Sequence, residues 1–557
     1  MARRAVLVLA MTALLQGGVL CVQATAQTLS TRLSEYVWEY LQTAGPLPWP
    51  PIAGEQLRAP TLLAHFYTQR LNLPAWSGDN GLLPHIQHLL SALRNAEHEG
   101  LKPHDYHLVR LEQMVAEVLQ YHAQGDAEPP TTLAVLDMLA TDALLTYGSH
   151  LLHGRMNSRR RGSAPDLTQQ DMDFVAQLQH ALETDSLPET LNALLPPQPG
   201  YARLRQALAR YRRLAAAGGW PAIPIGDGQP LQRGENSERV VALRARLRVT
   251  GEFARPAGKG KDETLFDDAV ERAVRAFQRR HGLEVDGVVG SATLAALNVP
   301  APVRVRQLIQ NLERWRWLPR DLGQRHILVN VPDFMLDLVE NGQSRLTMRV
   351  VVGKPSWPTP TLSATMTHMV LKPQWRVPLS IAREEILPRL RQDPAYLVHN
   401  NMRVWYVGSN GTWEINPRTV DWPKVQAKNL PYMFRQEPGP KNPLGDIKFV
   451  FPNRFDVYLH DTPSRTLFTK TDRALSHGCI RLEKPFDLAE HVLRHNPQWT
   501  RERLSTAVTK SSGQTVLLPE PLPIHLTYRT AWVGEEGVVH FRTDIYGYDS
   551  PPGQSVL

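Results

Sequence analysis

The chain predicts a multidomain α+β protein: a helical scaffold, a three-helix module, and a mostly-β domain interrupted by a capping insertion. Three observations predict it. Leu133, Leu136, Leu139, Ala140, Leu144, Tyr147 and Leu151 recur near the helical period. Val240, Leu243 and Leu247 form one helix face, and a second apolar helical run follows through Phe266, Ala273, Val274 and Phe277. From Ile327 the period becomes two: Ile327, Val329 and Val331, then Phe334, Leu336 and Leu338, then Leu346, Met348, Val350 and Val352. Asn341-Gly342 separates the last two runs and marks a hairpin.

Residues 1–26 have the form of a secretion signal. Arg3 and Arg4 precede an apolar core from Ala5 to Leu20, and Ala24-Thr25-Ala26 offers small residues for cleavage before Gln27. Cys21 follows Leu20, where lipid attachment calls for a small side chain, so a lipoprotein anchor is disfavoured. Retention of the segment as an N-terminal anchor is the alternative, and with it a loose hold at a membrane. No later stretch reaches the ~20 apolar residues of a membrane-spanning helix. Export beyond the cytoplasm is therefore expected.

Roughly 530 residues remain, too many for one core and suited to three or four domains. The formal charge of +8, of which Arg3 and Arg4 supply two, is mild for 557 residues. It hints at an anionic polymer such as cell wall, and no nucleic-acid motif accompanies it. The densest basic run, Arg159-Arg160-Arg161, lies between Ser158 and Gly162-Ser163 and reads as a solvated loop.

Residues 29–217 read as the helical scaffold. Its histidines, His150 and His153 among them, lack ligand spacing to a carboxylate or cysteine cluster. A Pro/Gly-rich linker from Gly218 to Pro230 leads to the three-helix segment 231–298. There Gly282-Leu283 ends the second helix, and Asp286-Gly287 turns the chain toward Thr293, Leu294 and Leu297. This segment resembles the peptidoglycan-binding type 1 module, including the Asp-Gly turn and the Gly290-to-Thr293 start of its last helix; an insertion from Gly258 to Asp262 lengthens its first loop. A helix from Val303 to Arg316 follows, with Trp315 and Trp317 as packing anchors. The mostly-β domain occupies 326–506. Between about 378 and 440 its pattern breaks into a helical run from Ile381 to Leu390 and an aromatic stretch through Tyr432 and Phe434, a candidate cap. Residues 507–557 read as a C-terminal β extension with a terminal hairpin.

Apart from Cys21, the one cysteine is Cys479, in Ser476-His477-Gly478-Cys479-Ile480-Arg481. A lone thiol in an oxidising compartment cannot staple a fold, and the neighbouring His477 and Arg481 would favour thiolate, so Cys479 is a candidate nucleophile. A cysteine nucleophile needs a base within reach and N–H donors for an oxyanion. His460, in Tyr458-Leu459-His460-Asp461-Thr462-Pro463, is the candidate base, and the N–H groups of Gly478 and Cys479 are the candidate donors. A zinc site from His460, Asp461, His477 and Cys479 would leave the Gly-Cys turn and Arg481 unexplained.

Val352-Gly353, Thr359-Pro360-Thr361, His460-Asp461-Thr462-Pro463 and Ser476-His477-Gly478-Cys479-Ile480-Arg481 resemble the L,D-transpeptidase catalytic domain of the YkuD type. The run from Gln436 to Gly445, Lys448-Phe449, the cap and the scaffold resemble the large periplasmic subgroup typified by YcbB. One departure is His477, where that subgroup often has serine. The resemblance implies His460 as general base and His477 as a neighbour shaping the turn, the swapped roles being the alternative. It places Tyr458 and Trp375 at an acyl pocket and Asn442 on the substrate side. Arg481 would meet the substrate or steady the loop, and Ser476 would hold the turn.

The implied activity is formation of 3–3 cross-links in peptidoglycan. Cys479 would attack the third residue of a donor tetrapeptide stem, release D-alanine, and pass the acyl group to the side-chain amine of an acceptor stem. The same apparatus with water as acceptor gives a carboxypeptidase or hydrolase, and a non-catalytic wall-binding protein is the third reading. No metal or organic cofactor is implied. Cell-wall synthesis proteins are candidate partners, and acylation by carbapenems is expected.

Overall fold

The computed structural model describes residues 28–45, 49–125, 129–156, 168–226, 228–253, 262–510 and 513–549. The signal segment, the Arg159–Arg161 run and most of the Gly258–Asp262 insertion lie outside them. The chain divides into two compact units: residues 1–91, 106–146 and 164–187 form one, and residues 92–105, 147–163 and 188–557 the other.

The first unit is helical. Helices Leu29–Thr43, Pro60–Gln69, His85–Arg94, Leu108–Gln124 and Gln169–Glu183 join the greater part of Pro130–His153, with a small hairpin of β1 (Ser77–Gly78) and β2 (Gly81–Leu82). Asp137 is fully buried and is satisfied by the backbone N–H groups of Ala75 and Trp76 and the Tyr67 hydroxyl. Helix Pro199–Ala216, at the end of the expected scaffold, groups with the second unit. Its apolar stripe, Tyr201, Leu204, Leu208 and Tyr211, packs with Leu308, Leu312 and Trp315 of helix Ala301–Trp315.

Within the second unit, helices Glu238–Thr250, Asp268–His281 and Ser291–Leu297 enclose one core of Val240, Leu243, Leu247, Val274, Phe277 and Leu297. Asp267 caps the second helix by accepting from the N–H groups of Ala269 and Val270. The Asp286 carboxylate closes the expected turn on the Val288 N–H at 2.9 Å.

The β-rich region is a closed barrel. In chain order its strands are β3 (Arg325–Asn330), β4 (Met335–Glu340), β5 (Gln343–Gly353) and β6 (Leu362–Leu371). The chain then enters the cap, whose strands are β7 (Trp375–Arg376), β8 (Met402–Gly408), β9 (Gly411–Ile415) and β10 (Tyr432–Gln436). It returns with β11 (Ile447–Val450), β12 (Leu459–His460), β13 (Ala474–Ser476), β14 (Ile480–Leu482) and β15 (Gln514–Thr527). Strands pair in the order β5-β14-β12-β11-β6-β15-β3-β4, and β4 pairs back to β5, so the sheet has no free edge there. β13 adds to the end of β5. The Asn341-Gly342 turn joins β4 to β5 with φ of 48° and 76°, as a tight hairpin requires.

β15, the first strand of the expected C-terminal β extension, is part of the barrel. It lies between β6 and β3 and contributes Val516, Leu518, Leu522, Ile524 and Leu526 to the barrel core. Only β16 (Ala531–Val533) and β17 (Val539–Phe541) form the terminal hairpin, and it packs on helices Pro199–Ala216 and Ala301–Trp315. The cap is more than the expected helix and aromatic stretch: it has its own sheet, β7-β10-β8-β9, and its own core of Ile386, Leu387, Val404, Trp422 and Phe434.

Candidate active site

Three adjacent barrel strands carry a polar row. Lys448 of β11 pairs with His460 of β12, and His460 pairs with Arg481 of β14. Directly opposed residues share a face, while their neighbours Ile447, Phe449, Leu459, Ile480 and Leu482 fill the core. The row therefore lies on the outer face of the barrel wall, with Cys479 at the entry to β14.

Backbone contacts fix the cysteine turn. Gly478 has φ +108°, where a side chain is strained. Its carbonyl accepts from Thr359 Oγ1 at 2.7 Å, and the same hydroxyl accepts from the Gly353 N–H at 2.9 Å. Gly353 is required for space: a Cβ there would lie 2.1 Å from the Trp357 carbonyl oxygen and 3.1 Å from Gly478 Cα. Tyr546 donates its hydroxyl to the Gly353 carbonyl at 2.6 Å and accepts from the Thr359 N–H at 3.2 Å. Ser476 Oγ donates to the Cys479 carbonyl at 2.5 Å and accepts from the Gly478 N–H at 3.1 Å. Of the two expected oxyanion donors, Gly478 N–H is thus engaged inside the turn, and only Cys479 N–H has no hydrogen-bond partner among the described residues.

Cys479 is half-buried, and its Sγ lies 4.0 Å from the Asp456 carbonyl. The backbone and hydroxyl of Tyr458 act on the sulfur to favour its anion, and Trp375 acts on that hydroxyl. Burial pushes the thiol up, outweighing the Tyr458 hydrogen bonds, Lys448 and Arg481. Arg481 favours the thiolate as expected, His477 does not figure among the groups that do, and desolvation of the anion outweighs them all, so the resting group is a thiol.

His460 is 4% exposed and donates Nδ1–H to the Asp461 carbonyl at 2.6 Å. That bond assigns the proton to Nδ1 and leaves Nε2 as the basic nitrogen. Burial and then Arg481 hold the imidazole down at about 3, against the Asp461 and Pro443 carbonyls. It is neutral across the ordinary pH range. No hydrogen bond joins His460 to Cys479 among the described residues. Two neutral groups stand on neighbouring strands, with the bridge between them left to a substrate.

Among the described residues no hydrogen bond joins His477 to the thiol. Its Nε2 pairs with Glu385 Oε1 at 2.6 Å, and its ring meets Trp357 edge-on at 5.2 Å. Glu385 sits in a π-helical turn of the cap, Ala382–Ile386, so His477 ties the cysteine turn to the cap. Asp461 accepts from the Thr462 N–H at 2.7 Å and from Arg465. The four side chains weighed as a zinc site are thus committed to different partners. Asn442 corrects a second expectation. It is fully buried and bonds the carbonyls of Pro373 and Glu437 and the Leu444 N–H, so it builds the loop beneath the site and cannot face a substrate. Glu385 carried no signal in the sequence, since its contact with His477 forms only across a long separation. Thr359 and Lys448 were visible only as members of motifs.

Residues 324–514 match the YkuD family, the L,D-transpeptidase catalytic domain. The chain carries an L,D-transpeptidase catalytic domain. Ahead of it, residues 236–297 match the peptidoglycan-binding domain family and residues 61–208 the scaffold domain family. A Haemophilus influenzae protein named as a candidate L,D-transpeptidase is 34% identical over 244 residues, which cover 44% of this chain and 48% of that protein. The chain thus spans about half the length of that relative. An N-acetylmuramoyl-L-alanine amidase of Mycobacterium tuberculosis is 42% identical over 76 residues, 13% of this chain and 19% of the amidase. Among solved structures, an L,D-transpeptidase of Xylanimonas cellulosilytica overlays 55% of this chain and 99% of its own at 18% identity, with a TM-score of 0.14 that is too low to bear on the fold.

Proposed function

We propose that this L,D-transpeptidase domain forms 3–3 cross-links between peptidoglycan stems through a Cys479 thioester, in an exported protein of the large periplasmic subgroup typified by YcbB. The observation that supports the reading most is Cys479 on the strained Gly478 turn, one strand from a buried neutral imidazole whose Nε2 is free of its proton. The matches to scaffold, peptidoglycan-binding and catalytic families, in that order along the chain, support the subgroup.

The donor's third-residue carbonyl enters between Sγ and His460 Nε2. As the S–C bond forms, the thiol proton moves to Nε2, and the oxyanion lies at the Cys479 N–H. Collapse breaks the C–N bond, and Nε2 returns the proton to the departing D-alanine amine. The acceptor's side-chain amine then attacks the thioester and gives its proton to Nε2. Collapse breaks the S–C bond, and the proton returns to sulfur. Every bond and proton is accounted for by these two side chains and two stems. The cap, joined to the turn by the His477–Glu385 contact, favours amine over water by excluding solvent.

Incubating the protein with disaccharide tetrapeptide and reading products by mass spectrometry tests the proposal. A cross-linked dimer is expected, together with a thioester mass on the peptide containing Cys479, and neither with Cys479→Ala. A carbapenem should add its mass to the same peptide. Tripeptide without dimer would make the protein a carboxypeptidase; unchanged substrate would leave a wall-binding role.

A further inference from the structure

Lys448 holds a charge that no carboxylate among the described residues neutralises by contact. It is half-buried on β11, directly across from His460, and its Nζ stands 3.8 Å from the centre of the Tyr458 ring. Among the described residues no carboxylate lies within 4.0 Å of it. The Cys479 sulfur, when anionic, and then Asp456 act on it as opposite charges, while Arg376 acts as a like charge. The next cation in the row, Arg481, has a buried Nε without a hydrogen-bond partner. Burying part of an ammonium without a partner costs free energy. Such a charge is retained where a ligand completes it.

Tyr458 sets the position of that ligand. Its ring lies under the ammonium and its hydroxyl favours the sulfur's anion, so an anion on Lys448 would be one side chain away from the acyl carbon on Cys479. In a tetrapeptide donor, the leaving D-alanine carries its carboxylate one Cα beyond the scissile nitrogen. We propose that Lys448 is a specificity-determining residue that binds the C-terminal carboxylate of the donor stem and so selects stems that end in one free D-alanine. The inference rests on the proposed transpeptidase reading and deepens it. A longer stem would place a peptide carbonyl opposite the ammonium and its carboxylate beyond it.

The test is binding to the full chain carrying Cys479→Ala, measured by calorimetry with two synthetic stems: the tetrapeptide with a free C-terminal carboxylate and the same tetrapeptide as its C-terminal amide. A charged hydrogen bond of this kind is worth about tenfold or more in affinity, so the acid should bind at least about tenfold more tightly than the amide. Lys448→Met should bring the ratio to about one, and Lys448→Arg should restore most of it. Equal binding of acid and amide to the Lys448 protein overturns the inference without any second variant, and leaves the transpeptidase reading standing. A ratio that survives Lys448→Met overturns it as well. Binding of neither stem overturns the transpeptidase reading, and this inference with it.

Discussion

Gly353→Ala isolates the support of the nucleophile from its chemistry. A Cβ at position 353 would stand 2.1 Å from the Trp357 carbonyl oxygen, 2.8 Å from the Thr359 nitrogen and 3.1 Å from Gly478 Cα, and all three are backbone atoms. To reach an ordinary contact, the Trp357–Thr359 segment or the Gly478 turn must move by about 1 Å. Either movement stretches the Thr359 Oγ1 bridge, whose bonds of 2.9 Å and 2.7 Å are worth about 1 kcal/mol each. With about 1–3 kcal/mol for overpacking, the expected loss is about 3–5 kcal/mol, or roughly 6 °C or more in the melting transition of the catalytic domain. A nucleophile displaced by about 1 Å should react on the order of 10² more slowly. Carbapenem acylation followed by intact mass gives the rate, and calorimetry gives the transition. Thr359→Ser, which keeps the hydroxyl, should lie near the native protein, and Thr359→Val should fall toward Gly353→Ala. A Gly353→Ala protein that melts and acylates like the native one would refute the account of how Cys479 is held.

His460→Gln should slow acylation by on the order of 10² or more, because it removes the base, whereas His477→Ser should cost much less; equal losses in single-turnover rates would reverse the two roles. Glu385→Gln weakens the contact between the cap and the cysteine turn, and should raise the ratio of tripeptide to cross-linked dimer in the muropeptide assay; an unchanged ratio would mean that the cap does not control water. In the unfolded chain His460 binds its proton near 6.5, but in the folded protein only near about 3, so between those values the unfolded state holds more protons and stability falls as pH drops. Urea midpoints at pH 7 and pH 5 should therefore separate more for the native protein than for His460→Gln. A larger separation in the variant would contradict the buried neutral assignment.

What the sequence displayed was local. Asn341-Gly342 needs two positive φ values and so marks its hairpin wherever it occurs, and Ser476–Arg481 carries a glycine, a thiol and a hydroxyl whose bonds close within the same six residues. What it concealed was pairing at a distance. β15 contains Pro519, Pro521 and Pro523, which argue against a barrel strand; the structure admits Pro519 and Pro521 in a register break between Leu517 and Leu522, and Pro523 stays in register opposite Thr365. Asn442 sits in a motif beside the site and reads as substrate-facing, although its amide is consumed by Pro373 and Glu437. His477 and Arg481 flank the thiol in sequence, but His477 turns to the cap, and the environment of Cys479 is decided by how deeply it is buried.

That burial bears on how Cys479 resists oxidation. Oxidation, like acylation, proceeds through the thiolate, so a cysteine held as thiolate at rest would be exposed to the same attack it delivers. Here the imidazole is kept neutral by burial and Arg481, and the thiol is kept protonated by burial, so no ion pair stands ready without substrate. On the proposed mechanism, the proton moves only when a carbonyl arrives to take the electron pair from sulfur. The cost is a slower first step than a preformed thiolate would give. Lys448, Arg481 and the Tyr458 hydroxyl, all close enough to lower the thiol's proton affinity, offset part of that cost as charge develops on sulfur. Reactivity is thereby coupled to occupancy.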